Sequence, residues 1–220
     1  MVPPALVLTA GLGTRLRPLT YVRAKPAVPV NGHALVRRIL LWLHGQGVRE
    51  AVLNLHHRPE TIAALVGDGA DLGVRVRYSW EQPVLGSAGG PRHALRLLTD
   101  GGLDRFLVVN GDTLSTMDLA AMLEAHAASG ALVTMALIPN PRPDKYGGVL
   151  VSDGGHVTRF TRAGSPGEAF CAASLCSRCC AAMASASRAI CSAVIAGGAV
   201  VTTRTSSSRE KSTDGRTEIS

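Results

Sequence analysis

Ala5-Leu6-Val7-Leu8-Thr9-Ala10-Gly11-Leu12-Gly13-Thr14-Arg15-Leu16-Arg17-Pro18-Leu19-Thr20 begins four residues into the chain. A continuous apolar run of strand length that breaks into glycines predicts a strand buried on both faces, with a turn at its carboxyl end. Outward from it, strand and helix patterns alternate. Leu35, Val36, Ile39, Leu40 and Leu43 share one helical face across 33–44, and glycines at 45 and 47 stop that helix. Further strands are expected at 50–55, 74–78, 105–110 and 132–138, and further helices at 59–66, 87–98 and 118–129. Two more strands, 147–151 and 156–160, flank the turn SDGG and predict a hairpin. The alternation gives an α/β fold, a Rossmann-like and mostly parallel sheet with helices on both faces. Ligands are expected where the carboxyl ends of the strands meet the loops.

Bulk composition narrows the class. A chain of 220 residues that is 46% hydrophobic and 18% charged can bury a core of its own. No apolar run reaches the roughly 20 residues of a membrane span, and prolines and glycines interrupt what would be a secretory leader, so a cytoplasmic protein is expected. The net charge of +7 is spread along the chain rather than gathered into a stripe. That distribution suits a phosphorylated small molecule, and neither a nucleic-acid nor a membrane partner is expected.

The composition changes at residue 170. Every Phe, Tyr and Trp lies at or before Phe170, whereas all five cysteines lie beyond it, and residues 171–220 hold 10 Ser and 10 Ala besides. Two units follow, 1–170 and a biased Ala/Ser/Cys-rich tail, 171–220. The tail offers little large apolar surface against the entropy of ordering it, so disorder is expected from about Thr202, with a short strand or helix available at 189–201. Cys176 and Cys179 have zinc-like C-x2-C spacing. The adjoining Cys180 and the distant Cys191 make a poor second pair, and free thiols are the simpler reading.

Chemistry gathers in the first loop. The glycines let backbone N–H groups approach an anion, Arg15 offers a planar fork to phosphate oxygens, and Lys25 adds a compact charge on a segment stiffened by Pro26 and Pro29. Leu16 stands where a dinucleotide fingerprint needs its last glycine, and no G-K-[ST] is present, so neither common phosphate loop applies. An NAD-dependent enzyme is disfavoured for the same reason. His56, His57 and His93 lack regular ligand spacing and read as structural or surface histidines. Trp42 and Trp80 read as packing residues, Trp80 bordering a loop at 81–90.

The run L-x-A-G-x-G-T-R-L-x-P-L-T followed by K-P-x-x-P-V resembles the signature of the sugar-phosphate nucleotidylyltransferases, and the resemblance extends over about residues 4–170. It implies that Ala10, Gly11, Gly13 and Thr14 bind nucleotide and that Arg15 and Lys25 are catalytic. Glu81-Gln82-Pro83-Val84-Leu85-Gly86-Ser87-Ala88 resembles the family's base-recognition loop, which implies nucleobase contacts from Gln82, Gly86, Ser87 and Ala88. Asn110-Gly111-Asp112 resembles the strand-end G-D whose Asp binds Mg²⁺, and Tyr146-Gly147 the element that contacts the sugar. The implied partners are a nucleoside triphosphate and a sugar 1-phosphate, and the implied reaction yields an NDP-sugar and pyrophosphate.

The pattern then departs from the family. Its E-K-P has no clean counterpart at 160–164, where Arg162 is the available cation, and its second metal-binding Asp falls beyond the match. Residues 171–220 therefore read as a frame-shifted or divergent replacement for the usual end of the domain, which translating the coding DNA in its other frames tests. The rival reading is a catalytically impaired protein that binds nucleotide or NDP-sugar without turning it over.

Overall fold

The computed structural model describes residues 1–100, 102–140, 142–164, 170–178 and 199–203. The opening run forms β1 (Ala5–Leu8), followed by a small ribbon of β2 (Pro29–Val30) and β3 (His33–Ala34). Helix α1 (Leu35–Gly45), β4 (Glu50–Leu55), α2 (Pro59–Val66) and β5 (Arg75–Trp80) come next. After them lie α3 (Gly86–Leu98), β6 (Arg105–Asn110), α4 (Leu119–Ser129) and β7 (Val133–Pro139). The hairpin of β8 (Gly148–Val151) and β9 (Val157–Thr161) falls where the SDGG turn predicts it. Every strand and helix expected before residue 162 is present, with boundaries shifted by at most two residues.

The large sheet runs β11-β7-β10-β6-β1-β4-β5, with the β8–β9 hairpin attached through β10. Strands β6, β1, β4 and β5 pair in parallel. Strand β10 (Phe170–Arg178) lies antiparallel between β6 and β7, so β7 points the same way as the parallel block. Strand β11 (Ala199–Thr203) pairs with β7. Two segments of the biased tail thus take sheet positions. Strand structure continues to Thr203, one residue past the point where disorder is expected; 204–220 lie outside the described residues.

Both faces of the parallel block are buried, as the unbroken apolar runs require. Ala5 and Val7 of β1 face a core built with Ile39 and Leu43 of α1, Ile62 of α2 and Met122 of α4. Leu6 points the other way, into a second core with Ala94 and Leu98 of α3, Phe106, and Val149 of the hairpin. The period of two along β1 therefore distributes its side chains between two layers of cover.

Local capping fixes where α4 starts. The Asp118 carboxylate accepts from the backbone N–H of Ala120 at 2.8 Å and of Ala121 at 3.2 Å, two donors that the helix cannot satisfy itself. Asp118→Ala is expected to cost about 1 kcal/mol of stability. Chemical unfolding of the two proteins checks this, and an unchanged midpoint would count against the cap.

Candidate active site

Parallel pairing brings the strand ends into line. Leu8 is registered with Asn54 on one side and Asn110 on the other, so the loops after β1, β4, β5 and β6 emerge along one rim. A cleft of about 300 Å³ opens there. Its floor is made by Leu8, Thr9, Asn54 and Asn110, and its walls by the first loop, the 81–87 loop and the turn after β6.

Two glycines make the close approaches. Gly111 sits so near β1 that a Cβ would overlap the Leu8 carbonyl oxygen, which lets the turn after β6 fold over the neighbouring strand. Gly13 has φ of 61°, a left-handed conformation that favours glycine, and a Cβ there would lie 2.7 Å from Thr20 Cγ2. The Thr20 hydroxyl donates to the Gly13 carbonyl at 2.9 Å, folding the loop back upon itself.

That fold delivers Lys25. Pro26 and Ala27 are buried in a short 3-10 turn, Lys25–Ala27, and the Ala24 N–H donates to the Thr61 hydroxyl at 3.0 Å, pinning the segment to α2. The Lys25 ammonium reaches across 87 residues of sequence to form an ion pair with the Asp112 carboxylate at the tip of β6. Both side chains stay partly open to solvent, at 27% and 33%. The other Asp112 oxygen accepts from the Thr113 hydroxyl at 3.2 Å. Arg15 is exposed on the same wall.

Of the residues singled out in the sequence, Ala10, Gly11, Arg15, Lys25, Gly86, Ser87 and Asp112 line this one cleft. Gly13 and Thr14 belong to the first loop but are not among the lining residues, and Ala88 lies within α3, also outside the lining. Gln82 is exposed and does not line the cleft, whereas its neighbour Glu81 does and is 3% exposed. Tyr146 and Gly147 lie on the connection between β7 and β8 and are not among the lining residues; Asn140 Nδ2 donates to the Tyr146 carbonyl at 3.1 Å. Arg162 is exposed after β9.

The histidines hold loops together. His56 Nδ1–H donates to the Glu81 carbonyl at 2.9 Å and His57 Nε2–H to the Thr20 carbonyl at 2.6 Å, so the β4–α2 connection is tied to both walls. His93 is exposed on α3. Trp42 packs against the first core, but Trp80, expected to pack, is 62% exposed at the end of β5. Among the described residues no three His, Cys, Asp or Glu side chains gather to hold a metal ion; Cys179, Cys180 and Cys191 lie outside those residues. Nor is any described helix long and apolar enough to cross a membrane.

Sequence reasoning missed Asn54 and Asn110, and it gave Glu81 no role of its own. The signal for Asn54 was available, because an amide inside the apolar run EAVLNL must find partners or cost stability.

A family model for nucleotidyl transferases matches residues 4–162. The chain is 35% identical over 156 residues to a mannose-1-phosphate guanylyltransferase of Mycobacterium tuberculosis, covering 71% of this chain and 43% of that protein. It is 33% identical over 149 residues to a D-glycero-alpha-D-manno-heptose 1-phosphate guanylyltransferase of Aneurinibacillus thermoaerophilus, covering 68% of this chain and 63% of that one. It therefore spans less than two thirds of either relative. Among solved structures, HddC from Yersinia pseudotuberculosis superposes with a TM-score of 0.70 at 22% identity, covering 80% of this chain and 77% of HddC. A second HddC structure, complexed with GMP-PN, gives 0.69. At that identity the likeness bears on the fold.

Proposed function

The chain belongs to the nucleotidyl transferase family, and from that premise we propose that it transfers an NMP group from a nucleoside triphosphate to a sugar 1-phosphate, releasing pyrophosphate. One observation carries the reading: Arg15, Lys25 and Asp112, from three separate segments, line one cleft beside a glycine turn. In the reaction proposed, an oxygen of the sugar phosphate forms a bond to the α-phosphorus. The bond from that phosphorus to the bridging oxygen breaks, and its electron pair leaves with pyrophosphate. Little covalent chemistry is asked of the protein, so alignment and charge stabilisation supply the rate.

Each residue has a part in this. Backbone N–H groups of the Ala10–Gly11 turn and the Arg15 guanidinium hold the leaving phosphates, and Lys25 offsets charge that builds on the transferred group. The loop from Glu81 to Ser87 receives the nucleobase, with Gln82 and Ala88 beside it, and Tyr146 and Gly147 are assigned to the sugar. The donor set fits Mg²⁺, a hard cation commonly held by one or two carboxylates together with substrate phosphates: Asp112 is an exposed oxygen donor at the rim of the cleft. When bound, the ion would supply further charge neutralisation on the phosphates. The proposed catalytic domain is 1–170, to which β10 adds an inner strand, and the proposed setting is the cytoplasm.

A panel of GTP, UTP, dTTP, CTP and ATP against hexose and heptose 1-phosphates, read by pyrophosphate release with and without Mg²⁺, tests this. Release is expected with one base strongly preferred. Nucleotide binding without release for any pair would instead favour a protein that holds nucleotide and does not turn it over.

A further inference from the structure

Thr9, Asn54 and Glu81 stand at the ends of three neighbouring strands, β1, β4 and β5, and are 1%, 3% and 3% exposed. Their polar groups form one chain. The Thr9 N–H donates to Asn54 Oδ1 at 2.7 Å, and the Thr9 hydroxyl donates to the Asn54 carbonyl. Asn54 Nδ2 donates to Glu81 Oε1 at 2.7 Å, and Glu81 Oε2 accepts the Leu85 N–H at 2.8 Å. Gly90 of α3 closes over the middle link, where a Cβ would come within 2.8 Å of Glu81 Oε1 and 2.9 Å of Asn54 Nδ2.

The two ends of this chain matter most. Thr9 immediately precedes the Ala10–Gly11 turn, and Leu85 immediately precedes Gly86 and Ser87, so the relay joins the roots of the two loops that wall the cleft. Both ends are backbone N–H donors and cannot be reversed. Asn54 must therefore turn its oxygen to Thr9 and its amino group to residue 81. Residue 81 must in turn accept twice, once from Asn54 and once from Leu85. Only a carboxylate meets that demand, since glutamine would set one N–H₂ group against another donor in either orientation.

We propose that Asn54 is a positioning residue, whose amide fixes the spacing of the phosphate loop relative to the base loop so that a nucleotide bridging them meets both at once. The proposal rests on the nucleotidyl transfer reading and adds to it a residue that acts through its neighbours. A ligand spanning both loops gains from the preset spacing, because the ordering is complete before it arrives. A ligand confined to one loop does not.

The relay predicts its own rescue. Glu81→Gln leaves a donor facing a donor. Adding Asn54→Asp restores every link. The new carboxylate at position 54 accepts from the Thr9 N–H with one oxygen and from the new side-chain amide at position 81 with the other, and the oxygen of that amide accepts from the Leu85 N–H. Single and double variants share the same residue 81, and the double variant moves the carboxylate to position 54, so it closes the chain of hydrogen bonds and keeps the net charge of the unsubstituted chain. Calorimetric titration of the full 220-residue chain in Mg²⁺ buffer, with GTP, UTP and dTTP and with inorganic tripolyphosphate, tests the idea. Glu81→Gln is expected to weaken the tightest nucleoside triphosphate about tenfold or more. Tripolyphosphate, which occupies the phosphate loop alone, should stay within about twofold, and the double variant should recover most of the nucleotide affinity.

Three outcomes overturn the proposal. A double variant as weak as Glu81→Gln would mean that the carboxylate serves the ligand directly. An equal loss for tripolyphosphate would mean general damage to the fold, and no loss at all would leave the relay without a role. If the unsubstituted chain binds none of the triphosphates, the nucleotide reading itself fails before any substitution is made.

Discussion

Lys25→Ala is expected to lower kcat/KM by on the order of 10²-fold or more while leaving the unfolding midpoint nearly unchanged. The two halves of this expectation follow from one observation, the ion pair with Asp112 across a solvent-open cleft. Partly exposed pairs contribute about 0–1 kcal/mol to folding, since water and salt screen them and two long side chains lose freedom. In the reaction proposed above the same ammonium is assigned to charge developing on a phosphoryl group, and a preorganised donor lost from such a position costs about 2.7–4 kcal/mol. Pro26 and Ala27, buried next to it, and the Ala24–Thr61 bond hold the segment without help from the charge. Lys25→Arg should restore only part of the rate, because a planar fork places its charge differently from a compact ammonium. Initial rates of pyrophosphate release beside thermal unfolding curves decide it. Full turnover in Lys25→Ala would remove the residue from the chemistry, and a large fall in midpoint would make its role structural.

Much of this arrangement is legible in the sequence because it is written locally. Runs such as ALVL, EAVLNL and RFLVVN announce buried strands, and the glycines after the first and last of them announce loops at the strand ends. Lys25 and Asp112 could be singled out one at a time. Their meeting could not, since it depends on β6 pairing beside β1. The β2–β3 ribbon passed unnoticed although Asn31–Gly32, with φ of 49° and 78°, is a strong hairpin signal. Strands of two residues leave too little alternation to flag them. The insertion of β10 between β6 and β7 is a non-local event, and the segment FCAASLCSR carries no pattern that names its neighbours. Glu81 and Gln82 could not be ranked from sequence either. Which of the two faces the cleft depends on where β5 ends, and the structure turns Glu81 inward and leaves Gln82 in solvent.

Asp112→Asn is expected to move binding and turnover in opposite directions. The substitution keeps the shape of the side chain and removes its charge. In the unliganded protein the carboxylate does two things: it engages the Lys25 ammonium, and it places a negative charge at the rim of the cleft proposed to receive phosphates. Both oppose a polyphosphate that arrives without a metal ion. Neutralising it frees Lys25 and removes the repulsion, so nucleotide binding in the presence of a chelator should tighten a few-fold, on the scale of a screened ion pair. Turnover should move the other way. With the carboxylate gone, the site loses the hard oxygen donor proposed for Mg²⁺, and release of pyrophosphate is expected to fall by about 10²-fold or more. The Mg²⁺ concentration giving half-maximal rate should rise as well. Titration of nucleotide in EDTA together with a Mg²⁺ dependence of the rate makes the opposed signs visible in one pair of experiments. If Asp112→Asn weakens metal-free binding, the carboxylate is organising the loop rather than competing for Lys25. If turnover and its Mg²⁺ dependence are unchanged, Asp112 is not where the metal is held.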